Sequence, residues 1–158
     1  MALHRRFVRN ALAAALALAA HQAAAFEVTR EFSGLWLDRN ILGHGINIDI
    51  INGTQGKTAA VVWYTFAANG ERLWVTAIGS VNGNTATLNA YEATGGRFPP
   101  AFDPTQVQVL PWGSFELTFN TCDRMHIRWI PNARTGLPSG EMNAVRSSDP
   151  LGGGCDDN

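Results

Sequence analysis

Two tryptophans, two threonines and a short polar stretch are the residues of this chain best suited to chemistry. Trp63 and Trp74 are broad rings with an N–H at one edge, and Thr65 and Thr76 add hydroxyls near them. Rings beside hydroxyls suit a wall against which a flat ligand stacks, or a subunit interface; ordinary packing of the rings is the third reading. The stretch Gly43-His44-Gly45-Ile46-Asn47-Ile48-Asp49 places a histidine between two glycines, where backbone can approach a neighbour closely. Asn47 and Asp49 then share one face of a strand. Taken together, Trp63, Trp74, Asn47, His44 and Asp49 form the candidate ligand-binding set, with stacking for grip and the amide for orientation. Each polar residue alone also reads as a turn or solvent-side residue. A small molecule or a glycan would suit such a set.

Catalytic constellations are weaker. The chain has no Gly-x-Ser-x-Gly elbow, phosphate loop, His-Glu-x-x-His or Cys-x-x-Cys, so no catalytic residue is assigned. His44 and His126 are its histidines beyond residue 25, too few for a His-rich metal site, and no cofactor motif occurs. A triad from His44, Asp49 and a serine, or a carboxylate pair from Asp49 and Glu92, can be drawn without being constrained by any spacing. A hydrolase is therefore the third choice, behind a binding module and a structural or oligomerising module.

The elements that must position these residues begin after an apparent export signal. Residues 1–25 run from a basic start at Arg5, Arg6 and Arg9 through the apolar Ala11–Ala20 to Ala23-Ala24-Ala25, the three-part secretory pattern. The apolar run is short of the about 20 residues a membrane-spanning helix needs. The expected domain is 26–158, periplasmic or extracellular, without a membrane span. The whole chain is 158 residues, 46% apolar and 16% charged, with a formal net charge of −1, which argues against disorder and against a nucleic-acid partner. An oxidising compartment favours a bridge between Cys122 and Cys155, the only two cysteines. By chain entropy such a bridge contributes on the order of 3–4 kcal/mol.

Beyond the signal, runs that alternate apolar and polar residues recur between turn signals. They predict eight strands at about 34–38, 45–51, 59–67, 72–81, 85–92, 114–120, 125–130 and 141–147, joined as hairpins. The expected fold is all-β: a single eight-stranded antiparallel up-and-down meander barrel, with an open sandwich as the rival. Asn69-Gly70 suggests a two-residue turn that sets Phe66 opposite Leu73. That register puts Trp63, Thr65, Trp74, Thr76 and Ile78 on one face of the third and fourth strands, and Val62, Tyr64, Phe66, Leu73 and Val75 on the other. Both faces are apolar enough to require cover. Residues 93–113 are a long Pro-rich loop in which Phe98 and Phe102 are placed to plug one end or to form a lid, and Asp103-Pro104-Thr105 reads as one helical turn.

Gly34-Leu35-Trp36, His44-Gly45-Ile46-Asn47, Trp63-Tyr64, Asn69-Gly70-Glu71-Arg72-Leu73-Trp74 and Ala144-Val145-Arg146 carry a resemblance. The pattern resembles a family of uncharacterised secreted proteobacterial β-domains, with Phe66 where that pattern often has a second Tyr. It is more loosely similar to the calycin barrels, lipocalins and avidins, which begin with Gly-x-Trp and often place a basic last-strand residue over that Trp. The resemblance implies a structural role for Trp36 and Arg146, joined by a cation–π contact that closes the barrel. It implies no activity.

Overall fold

A computed structural model describes residues 27–54 and 56–148. Eight antiparallel strands follow one another as a meander: β1 (Gly34–Leu37), β2 (Gly45–Gly53), β3 (Gly56–Phe66), β4 (Arg72–Asn82), β5 (Thr85–Thr94), β6 (Gln108–Thr121), β7 (Arg124–Pro131) and β8 (Gly140–Arg146). Each pairs with the next, and β1 also pairs with β8 through Trp36↔Arg146 and Leu37↔Val145, so the sheet closes into a ring without a free edge. The export segment at 1–25 and the Cys155 half of the expected bridge lie outside the described residues; Cys122 itself is buried.

Alternation decides which side chains face inward. Ile46, Ile48 and Ile50 of β2, Ala59, Val61 and Trp63 of β3, and Val75 and Ala77 of β4 are buried inside the ring, and the residues between them face out. The register of β3 and β4 differs by one from the expected one: Phe66 pairs with Arg72, Tyr64 with Trp74 and Trp63 with Val75. The turn explains the shift. A type I′ turn needs positive φ at both central residues, whereas Asn69 has negative φ and only Gly70, at +81°, is left-handed. Gly70 N–H donates to Ala67 O at 2.9 Å and Ala67 N–H to Glu71 O at 2.8 Å, giving a three-residue loop in which Gly70 forms the bulge.

A slip of one residue moves one strand's whole pattern to the opposite face. The single Trp/Thr face therefore does not exist. Trp63 and Thr65 point inward, while Trp74, Thr76 and Ile78 point outward beside Val62, Tyr64 and Phe66. Nor are both faces covered. On the outer wall Trp74 is 65% exposed, with Tyr64, Phe66 and Ile78 also exposed, and Tyr64 and Trp74 meet edge to face at 5.4 Å.

The connection between β5 and β6 is shorter than expected, because Gln108 to Pro111 extend β6 along β5, from Thr94↔Gln108 to Tyr91↔Pro111. Asp103 caps the helical turn Pro104–Gln106 through its bond from Thr105 N. Phe98 is 90% exposed and Phe102 is exposed as well, so neither plugs the ring.

The plug is at the opposite end and comes from the N-terminal segment. A single 3-10 turn, Arg30–Phe32, is capped by Thr29 and carries Phe32 under the ring. Phe32 and Trp36 both meet Phe119 edge to face, at 5.4 and 5.7 Å, and Trp36 Nε1 donates to Phe32 O at 3.2 Å. The Arg146 guanidinium stands 6.0 Å from the Trp36 ring centroid and donates to Glu31 O. One residue thus packs on the buried indole and ties the N-terminal turn to the last strand.

Candidate functional site

With one end plugged, the other is where the ring can admit a ligand. The connections β1–β2, β3–β4, β5–β6 and β7–β8 all fall at this end, and a cavity of about 210 Å³ opens between them. Trp63, Trp112 and Trp129 form its walls and Met142 its inner side. Ile41, Phe66, Leu137 and Pro138 line the entrance, and His44 and Thr65 supply its polar side chains. Among the described residues no Asp, Glu, Lys or Arg lines it.

Each wall is held by local structure. Trp63 stands between Ile46 and Val75, both fully buried, and packs on Trp112, Phe115 and Trp129 at centroid distances of 6.0, 5.6 and 5.1 Å. Trp112 is inside because of a bulge. Ala90 pairs with Gly113 and Tyr91 with Pro111, leaving Trp112 as the extra residue on β6. Phe115 and Leu117 follow the inward alternation, by which position 112 would face out; the bulge turns it in, to 1% exposure. Gly113 is required there, since a Cβ would lie 2.1 Å from Ile130 O. Arg134 anchors the same corner: Nη2 donates to Pro111 O at 2.9 Å, and Nη1 pairs with Glu92 Oε1 at 2.7 Å. Trp129 lies flat because Gly140 has no side chain, a Cβ there falling 2.4 Å from its ring, and its Nε1 donates to Pro138 O at 3.2 Å.

The polar rim is a side-chain pair. His44 Nδ1 and Thr65 Oγ1 are 2.9 Å apart, and the tautomer sets which of them donates. Gly43, at φ +82°, allows the β1–β2 turn to lie on Phe66, where a Cβ would come within 3.0 Å of the ring. His44 then packs edge to face on Phe66 at 5.3 Å. Among the described residues no carboxylate is hydrogen-bonded to His44. Glu92 is engaged by Arg134 and faces inward, whereas Asp49 faces outward, so the two do not form a carboxylate pair across a common site.

The five candidate residues therefore divide. Trp63 and His44 meet at the cavity. Trp74, Asn47 and Asp49 do not reach it; they lie on the outer wall, Asn47 opposite Val62 and Asp49 opposite Ala60. Trp112 and Trp129 complete the site without having been expected there. Trp129 is readable from its alternation with Met125 and Ile127, but Trp112 falls within the Pro-rich stretch 93–113, where Pro111 and Gly113 on either side of it are the sign of a bulge.

Among the described residues no cluster of three or more His, Cys, Asp or Glu could hold a metal ion, and no helix is long and apolar enough to cross a membrane. Fold and site define an all-β ring, plugged at one end and open at the other onto an aromatic cavity. Comparison with protein-family models, with curated proteins and with solved structures gave no match.

Proposed function

We propose that this chain is an exported, periplasmic or extracellular binding module of lipocalin- or avidin-like build, which takes a small apolar ligand into the open end of its ring. The observation that carries this reading is the cavity itself: three tryptophans, a half-buried His44–Thr65 pair and no charged lining, set opposite a plugged end. Ligand sites are concave, mostly apolar and carry a few placed polar groups. At about 210 Å³ this one is below the about 300–1,000 Å³ of drug-sized pockets, so a ligand of one ring or a short chain suits it. Intrinsic tryptophan fluorescence of the exported domain, screened against small metabolites and mono- and oligosaccharides, tests the reading. Hits are expected to disappear in Trp63→Leu and to persist in Trp74→Ala. The reverse pattern would move the site to the outer wall and overturn the proposal.

A second reading, an oligomerising module, is favoured by the exposed Tyr64, Phe66, Trp74 and Ile78 on that wall. Sedimentation of wild type and Trp74→Ser distinguishes it: a wild-type oligomer that becomes monomeric in the variant supports the interface.

A further inference from the structure

We infer that the outer wall of β2–β4 is the face on which two copies of this chain pair about a two-fold axis, with Asp49 of each copy meeting Arg72 of the other. The inference rests on the second reading above and adds to it the orientation of the copies and the residues that fix it. It makes no use of the mouth cavity.

Charge divides the outside of the ring into two walls. Glu116, Arg124, Arg128 and Glu141, with His126, face out of β6, β7 and β8. Across β2 to β5, by contrast, Asp49 and Arg72 are the only charged side chains among the described residues that face out. Both are exposed, and neither is in an ion pair among the described residues. Between them the wall is carried by Val62, Tyr64, Trp74 and Ile78, the last three of which are exposed. A contiguous exposed apolar strip marks a contact surface.

The two charges stand at opposite corners of that strip. Asp49 pairs with Ala60 and Arg72 with Phe66, so they are six residues apart along β3 and one strand to either side of it. That is about 20 Å along the strands and about 10 Å across them. The midpoint falls over Trp63, whose outward neighbours on β3 are Val62 and Tyr64. In a two-fold interface, where residue i meets j, j also meets i. An axis lying in the plane of contact and crossing β3 between Val62 and Tyr64 meets this condition. It sets both Asp49–Arg72 pairs at once, at the two ends of an apolar centre. The same rotation carries each Trp74 towards Ala60 and Val62 of the second copy. Those short side chains floor a shallow groove of about 310 Å³ that Asn47, Thr76 and Ile78 border. A protruding ring and a groove to receive it thus lie on one wall.

This is why a second copy fits better than an unrelated partner. Whatever covers the strip takes Asp49 and Arg72 out of water, and each then needs an opposite charge. A second copy brings both at the required spacing, around an apolar centre with charge at its edge.

Sedimentation equilibrium of the exported domain over a concentration series tests the pairing. Wild type is expected to dimerise. Asp49→Arg and Arg72→Glu, each alone, put like charges together at both ends of the interface and should weaken association on the order of tenfold or more. An equal mixture of the two variants restores opposite charges at both ends and should dimerise as wild type does. Rescue in the mixture also shows that both variants are folded.

A wild-type dimer that Trp74→Ser dissociates, but that neither charge reversal weakens, would overturn the inference and leave the wall as the interface. Variants weakened singly and not rescued by mixing would overturn the reciprocal pairing. A wild type that stays monomeric throughout would overturn the oligomer reading itself and leave the wall to a different occupant.

Discussion

Two buried tryptophans with opposite hydrogen-bond status allow an unmatched donor to be tested by stability alone. Trp36 and Trp112 are 0% and 1% exposed, but Trp36 Nε1 donates to Phe32 O at 3.2 Å and Trp112 Nε1 has no partner among the described residues. Replacing either by Phe removes part of an indole from a packed interior, about 1–2 kcal/mol at both sites. Trp36→Phe also withdraws a donor from a buried carbonyl, about 1–3 kcal/mol, and weakens the Arg146 cation–π contact by about 0.5–1 kcal/mol. Trp112→Phe deletes a donor whose desolvation was uncompensated, which returns about 1–3 kcal/mol and nearly cancels the packing loss. The expected costs are thus about 3–5 kcal/mol for Trp36→Phe and within about 1 kcal/mol of zero for Trp112→Phe. With a urea slope of about 2 kcal/mol/M the midpoints should differ by about 1 M or more. Equilibrium urea unfolding with the slope checked for constancy measures this. Equal losses, or the larger loss in Trp112→Phe, would mean that the Trp112 N–H is satisfied in the folded protein, and the reasoning would fail.

Four other predictions address separate parts of the molecule. Gly113→Ala should lower the thermal midpoint and weaken ligand binding together, because its Cβ meets Ile130 O at 2.1 Å and the bulge that aims Trp112 must give way. Arg134→Ala, losing its contacts to Glu92 and Pro111 O at the cavity's corner, should reduce the affinity of a fluorescence-screen hit several-fold with little effect on the urea midpoint. The Thr121 hydroxyl, aided by the charges of Arg124 and Arg146 against a partial loss of hydration, holds the Asp123 carboxyl below its usual range. A depressed folded value contributes stability above the unfolded carboxylate pKa of about 3.9 and loses it as pH falls through the folded value, so Asp123→Asn should flatten the acid limb of unfolding below about pH 4. Unreduced, unfolded protein should show no reactive thiol if Cys122 and Cys155 are bridged; two would refute the pairing.

The strands were legible because a half-buried strand must alternate, and runs such as Ile46-Asn47-Ile48-Asp49-Ile50 leave little choice. Closure followed from their number and the short hairpins between them. Faces were harder to read, since they depend on turn geometry that residue types alone underdetermine. Asn-Gly fits both a type I′ turn and the second half of a type I turn with a glycine bulge, and the two differ by one residue of register. That single residue separated Trp63 from Trp74, whereas Asn47 and Asp49 lie on the outer wall because they pair with the outward-facing Val62 and Ala60 of β3. Trp112 was hidden for a related reason: a bulge breaks the alternation through which inward positions are recognised, and Pro111 disguised the strand as loop. Of the candidate site, Trp63 and His44 were therefore legible and the tryptophans that enclose them were not.

The plug has a further consequence for how the chain folds. Arg146 reaches Glu31 O across 115 positions of sequence, and β1 is flanked by β2 and β8. The seam can close only when both ends of the domain are present, so the last strand is as necessary to the first as its own hairpin partner. Contacts this remote make all-β chains fold slowly, over milliseconds to seconds. In a chain synthesised N-terminus first, such a seam postpones the folded state until the C-terminal strand has emerged. Until then Trp36 and Phe119 would be open to solvent, so a chain stalled short of β8 should be a substrate for proteases and chaperones where the complete one is not.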